Sequence, residues 1–288
     1  MGVLQEFSWA RAAVLAVGLV ASGCDNDLEK QSQVTRVRVL AVRATPAEWV
    51  LPPEGGAPQS LGLEALAVAP DARPLTVTFA LCRPGNVYAA DFQCPGRDGV
   101  ELAGGVLSPD APEVEALLEQ MLGGTDVSDP AVRSRLEAGV PFYVGYEVSD
   151  GSGTPEGGER GLRRLTARLT DAPNQNPRVT DVLYQGESLV GPLPVGTEVA
   201  LTPVLAEDSQ ERYPGPQGEV TEAVSFAWHA TGTGEVEFFR SVLPAEGEPG
   251  EPGTEYTTPA TPQQVTLYVV ARDGRGGTDW LVRTVEVR

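Results

Sequence analysis

Val265-Thr266-Leu267-Tyr268-Val269-Val270, then Asp273-Gly274, then Leu281 to Val287 is the stretch that decides the fold. Apolar residues fall at 265, 267, 269 and 271. That period of two sets one strand face on a core and the other toward water. Asp-Gly between two such runs marks a hairpin, because glycine takes the positive φ that a tight turn needs. The pattern occurs twice. Val140-Pro141-Phe142-Tyr143-Val144-Gly145 leads through Asp150-Gly151 to Leu162–Leu169, with alternation at 140, 142, 144, 146 and 148. The first copy differs by a longer, glycine-rich tip.

Working outward, the match continues upstream of each hairpin. Val34 to Val42 and Arg178 to Leu183 are expected as first strands. Leu61 to Val68 and Glu198 to Leu205 follow as second strands, Leu75 to Cys82 and Ala223 to Ala230 as third. Short strands separated by turn residues, with no helix between them, predict β-sandwiches and not a parallel α/β sheet. Thr170-Asp171-Ala172-Pro173-Asn174-Gln175-Asn176-Pro177 has two prolines and no apolar run, and is expected as a linker. The expected architecture is all-β: two tandem immunoglobulin-like β-sandwiches over 34–171 and 176–288. The carrying residues, Phe226-Ala227-Trp228 and Val269-Val270-Ala271-Arg272-Asp273-Gly274-Arg275-Gly276-Gly277, resemble the tandem immunoglobulin-like or PKD-like domains of bacterial envelope lipoproteins.

Residues 83–138 do not follow the strand pattern and are expected as a small α-helical insertion in the first sandwich. Asp110 is the expected N-cap of a helix with Val114, Leu117, Leu118 and Met121 at helical spacing, stopped by Gly123 and Gly124. Ser128-Asp129-Pro130 opens a second, shorter helix to about Ala138, with Val132 and Leu136 inward. Both stripes are expected to close the core.

The N-terminus gives a location. Residues 12–21, AAVLAVGLVA, are too short to span a bilayer and fit the apolar region of a secretory signal. Ala21-Ser22-Gly23-Cys24 resembles the lipobox of bacterial lipoproteins. The resemblance implies removal of residues 1–23 and lipidation of Cys24. A polar tether over 24–33 would then hold the body at a membrane of the cell envelope, on the periplasmic side or at the cell surface. Two or more acyl chains give a stable anchor where one does not. The remaining cysteines, Cys82 and Cys94, form an even pair, which in an exported protein points to a disulfide.

Net charge is −19, from 40 acidic and 21 basic residues in 288, which excludes a nucleic-acid binder. His229 is the one histidine, so no two-histidine mechanism is available. It follows Trp228 on a strand, so an inward Trp228 is expected to leave His229 facing solvent. No G-x-S-x-G turn is present, and no ligands near Cys82 and Cys94 complete a metal set. No catalytic residue, metal or cofactor is expected. Calcium is weighed at the acidic turns Ser149-Asp150-Gly151, Glu207-Asp208 with Glu211, and Asp273 with Asp279, and above all at linker residues Asp171, Asn174 and Asn176. Residues 244–256 are expected as an exposed acidic loop and Tyr213-Pro214-Gly215-Pro216 as a flexible one.

These readings predict a lipid-anchored, non-enzymatic envelope protein that binds or scaffolds through sandwich loops. Its partner would be an envelope protein or a glycan. The rivals are a calcium-dependent adhesion module, an envelope hydrolase with an unrecognised site, and a passive spacer.

Overall fold

A computed structural model describes residues 30–53, 59–83, 94, 99–124, 126–215, 218–245 and 247–288. The first half contributes β1 (Arg38–Thr45), β2 (Trp49–Leu51), β3 (Leu61–Val68), β4 (Thr76–Cys82), β5 (Gly99–Glu101) and β6 (Val106–Leu107). Helices α1 (Pro112–Leu122) and α2 (Pro130–Ala138) follow, then β7 (Val140–Ser149) and β8 (Gly158–Leu169). The order β1-β3-β6 makes one sheet and β2-β8-β7-β4-β5 the other. The second half contributes β9 (Val179–Tyr184), β10 (Glu187–Ser188), β11 (Glu198–Leu205), β12 (Arg212–Gly215), β13 (Gly218–Thr221) and β14 (Val224–Ala230). It ends with β15 (Glu235–Val236), β16 (Arg240–Leu243), β17 (Thr254–Thr257), β18 (Gln263–Arg272) and β19 (Thr278–Val287). Its sheets are ordered β10-β9-β11-β17-β15 and β16-β14-β18-β19, with β12 and β13 as a separate hairpin.

Each half buries its own core. In the first, Trp49, Leu61, Leu81, Phe142 and Leu165 meet between the sheets, joined by Val114, Leu117, Leu118 and Leu122 of α1 and Val132 and Leu136 of α2. In the second, Trp228, Phe226, Tyr256, Leu193 and Leu201 do the same. The two expected hairpins form in antiparallel register, from Val140↔Ala167 to Ser149↔Gly158 and from Gln263↔Val287 to Arg272↔Thr278. The chain is an all-β sandwich protein with the expected helical insertion.

Several local expectations are corrected. Ala111, not Asp110, is the N-cap of α1, because Pro112 at the first helical position fixes the start there. The second helix has the expected cap: Asp129 accepts from the Ala131 N–H at 2.8 Å. Within 83–138, β5 pairs with β4 and β6 with β3, so the insertion supplies an edge to each sheet. Strands of three and two residues are too short to display a period. The stretch 244–256 is not loop throughout. Thr254–Thr257 is an inner strand, and Tyr256 is wholly buried. Tyr213 and Pro214 lie in the β12–β13 hairpin.

Residues 31–288 form one compact unit. The outer faces of β1 and β3 meet the outer faces of β14 and β18. Leu40, Ala41, Leu66 and Val68 pack there against Ala227, Tyr268 and Val270, with Val34 beside them. The sandwiches are therefore joined sheet to sheet, and not only by their linker. The end of the expected tether belongs to this join. Ser32 is buried, Gln33 bridges to Ala230, and the Ala230 N–H donates to the Ser32 carbonyl at 2.8 Å.

Candidate functional site

Among the described residues, the seam between the sandwiches gathers the buried polar residues Ser32, Glu48, Asn174, His229, Asp273 and Asp279. β14 reads Val-Ser-Phe-Ala-Trp-His-Ala and is buried on both faces. Phe226 and Trp228 point into the second core, where Trp228 Nε1 donates to Ser241 Oγ at 2.8 Å. The alternation sends His229 the other way, as expected, but that side is covered. His229 is only 4% exposed, its Nδ1–H donates to the Gln31 carbonyl at 3.1 Å, and its ring stands edge-on to Phe239 at 5.1 Å. Burial first, then the positive charges of Arg38 and Arg272, pull its pKa down from 6.5 to about 4. The expected solvent-facing histidine is a neutral, packed one.

The linker is equally engaged. Asn174 is buried; its Nδ2 donates to Asp273 Oδ2 at 2.8 Å and its backbone N–H to Glu48 Oε2 at 3.3 Å. Asn176 donates to the Ala44 carbonyl at 2.7 Å and accepts from the Thr278 N–H at 2.8 Å. Across the same seam Arg43 pairs with Asp279 and lies 4.5 Å from the Trp280 ring. Asp273 Oδ1 accepts from the backbone N–H groups of Arg275, Gly276 and Gly277 at 2.7–2.9 Å. Gly277 is required by close approach: a Cβ there would lie 2.1 Å from Asp273 Oδ2 and 2.6 Å from the Gln175 carbonyl.

These contacts decide how the expected calcium residues are used. Calcium takes six to eight oxygens at one point. Asp273, Asp279, Glu211, Asn174 and Asn176 do converge on the seam, but each is held by protein donors. Glu211 accepts from the Gln175 N–H, and Glu222 pairs with Arg275 at 2.7 Å. Burial raises the Glu222 pKa, with the like charge of Asp273 adding to it, against the pull of Arg275. Asp208 pairs with Arg178, and Asp150 with Arg73 inside the first sandwich. Asp171 is exposed. A different carboxylate group, which sequence reading missed, lies on the second sandwich. Glu198, Glu237 and Glu255 present oxygens within 4.8 Å of one another. A hydrogen bond from Glu237 and its like charge push the Glu255 pKa up. Those residues come from three separate strands or loops, so no spacing in the chain could have revealed the group.

Cys82 and Cys94 form the expected disulfide, with Cα atoms 5.6 Å apart, and both are buried. The bridge pins residue 94 to the end of β4 beside Ala80 and Tyr143. Cys24 and the signal-like stretch lie outside the described residues. Among the described residues, no helix is long and apolar enough to cross a membrane.

A last feature of the seam is a basic cleft of about 380 Å³ lined by Arg163, Arg164, Arg168, Arg272 and Arg275, with the glycines of the Asp273 turn. Sequence reading also missed this. Arg163, Arg164 and Arg168 are neighbours on β8, but the other two arginines come from the second sandwich, more than a hundred residues away.

No family model and no curated protein matches this sequence. Among solved structures, the chain is similar to protocadherin gamma B2 extracellular cadherin domains 3–6 at 12% identity, covering 83% of this chain and 44% of that one, with a TM-score of 0.21. The fibronectin(III)-like modules of Clostridium thermocellum CbhA match at 10% identity over 87% and 92% of the two chains, with a TM-score of 0.22. A Bacteroides ovatus protein, SGBP-B, solved with a mixed-linkage heptasaccharide, matches at 12% identity over 88% and 47%, with a TM-score of 0.18. This chain spans less than half the length of the protocadherin and SGBP-B chains. At such scores the likenesses carry no argument about arrangement or ligand, and the sandwich class rests on the sheets themselves.

Proposed function

We propose that this chain is a lipid-anchored, non-enzymatic protein of the cell envelope, with a binding or scaffolding role carried by two rigidly joined β-sandwiches. The observation that carries the reading is the seam. An apolar patch flanked by Asn174–Glu48, Asn176–Ala44 and Arg43–Asp279 ties the two halves into one body. Such a body holds its surface loops at fixed separations, which is what a scaffold or a two-sandwich binding surface needs. The anchor is Cys24, on the resemblance of Ala21-Ser22-Gly23-Cys24 to a lipobox. Because Gln31 to Gln33 are docked on the second sandwich, only residues 25–30 are left as spacer. A polar spacer of that length would reach about 12–15 Å, which would keep the body close to the membrane.

The test has two parts. Mass spectrometry of the full chain made in a bacterial host should find diacylglycerol and acyl chains on Cys24, and Cys24→Ser should release the protein from membranes. In-cell crosslinking of both forms should then enrich a specific partner with the native chain and less with the variant. An unmodified Cys24 in a membrane-free protein would sink the anchor. A native chain with no enriched partner would favour the spacer. Calcium-dependent adhesion predicts a melting temperature that rises across millimolar calcium, and an unchanged value removes that rival.

A further inference from the structure

We propose that the cleft between the two sandwiches is a binding site for a soluble oxyanion group, a phosphate or a carboxylate, held by Arg163, Arg164 and Arg272. Five arginines line this cavity of about 380 Å³ and no carboxylate does. That concentration of one sign occurs in a chain whose net charge is −19. The acids nearby are turned elsewhere. Asp273 is occupied by the N–H groups of its own turn and by Asn174, Glu222 by Arg275, and Glu48 by Arg168 and the Asn174 N–H.

Two of the five arginines are already paired, Arg168 with Glu48 at 3.5 Å and Arg275 with Glu222 at 2.7 Å. Among the described residues, neither Arg163 nor Arg272 forms an ion pair. Arg163 spends one terminal nitrogen on the Gly276 carbonyl and Thr278 Oγ1, and Arg272 spends one on the Leu40 carbonyl at 2.8 Å. Among the described residues, the buried Nε of Arg163 makes no hydrogen bond. Partly buried guanidinium groups without a counter-ion are unfavourable, and an anion between them removes the imbalance. Burial lowers the pKa of Arg163, against the charge of Asp273, and lowers that of Arg272, which the charge of Arg163 lowers further, so the two arginines repel across the seam. Guanidinium forks suit phosphate and carboxylate oxygens, which accept paired N–H bonds. The lining comes from both halves, since β8 supplies three arginines and Arg272 and Arg275 come from the second. An occupant would therefore also strengthen the join.

This inference does not depend on the anchor, so the full chain carrying Cys24→Ser serves as well as the native one. Calorimetric titration and thermal melting would use inorganic phosphate, D-glucuronate and, at equal ionic strength, sodium chloride as control. Phosphate or glucuronate is expected to bind and to raise the melting temperature by mass action, and chloride is not. Arg272→Gln and Arg164→Gln should each weaken binding by at least about tenfold, the loss expected for one charge-assisted contact. Arg164 is exposed, so its variant tests the site even if Arg272→Gln fails to fold. Binding that both variants leave unchanged would overturn the proposal. So would the absence of any response to phosphate or glucuronate, or binding confined to phosphatidylglycerol vesicles.

Discussion

At the scale of single residues, burial decides what His229 does. Its folded pKa near 4 lies below the ordinary 6.5, so between those values the unfolded chain binds more protons than the folded one. Its contribution to stability is full above pH 6.5 and falls as the pH drops toward 4. The whole shift corresponds to about 3 kcal/mol, of which about 2 kcal/mol is gone at pH 5. Urea unfolding at about pH 7 and about pH 5 should show that loss in the native chain and a clearly smaller one in His229→Gln. Parallel pH dependences would show that the ring does not carry the effect. Tyr256 is the opposite case: its hydroxyl is buried with no hydrogen-bond partner among the described residues, and burial raises its pKa to about 12. An unpartnered buried hydroxyl costs stability, so Tyr256→Phe should melt at the same temperature or higher. Gly277→Ala should destabilise by about 1–3 kcal/mol, because the carboxylate it meets is fixed by Asn174 and its own turn and the carbonyl it meets is backbone.

Elements in this protein are specified by their termini and by what they cover. Pro112 and the left-handed Gly123 bound α1, while Pro130 and the Asp129 cap start α2. Neither helix has a function visible beyond closing the first core with its apolar stripe. The disulfide acts at the same scale, tying residue 94 to the end of β4 across a sequence separation of 12. On the chain-entropy model, Cys82→Ser with Cys94→Ser should cost about 3 kcal/mol, read as a shift in the denaturation midpoint. A change below half of that would mean that the unfolded chain keeps residual structure or that the native state also gains freedom without the bridge. Most strands were legible because alternation and Asp-Gly turns are local signals. The short ones at β5, β6 and β17 were not. Their pairing depends on a neighbouring strand and not on any pattern of their own.

The whole molecule is more than a pair of beads. The seam joins the outer sheets through Val270, Tyr268, Leu66 and Leu40, so both halves should unfold together in one calorimetric transition. Ala41→Asp places a charge in that apolar patch and should split the transition or lower its temperature sharply. An unchanged single transition would mean the sandwiches are coupled elsewhere. The seam was only half legible. Phe226-Ala227-Trp228-His229-Ala230 and Leu267-Tyr268-Val269-Val270-Ala271 are nearly continuous apolar runs, the signature of strands covered on both faces. Reading their alternation alone gave one core face and an imagined wet one.

The sequence by itself determined the strand-and-turn grammar, the two hairpins, the helical insertion and the cysteine pair, because periodicity, turn chemistry and even cysteine number act over a few residues. Only the tertiary structure decided the fate of His229, the engaged linker and the basic cleft. Each depends on partners distant in the chain: Gln31 meets His229 across 198 positions, and Arg272 meets Leu40 across 232. Burial and charge compensation are properties of the packed whole, and no local pattern encodes which outer face another sheet will cover.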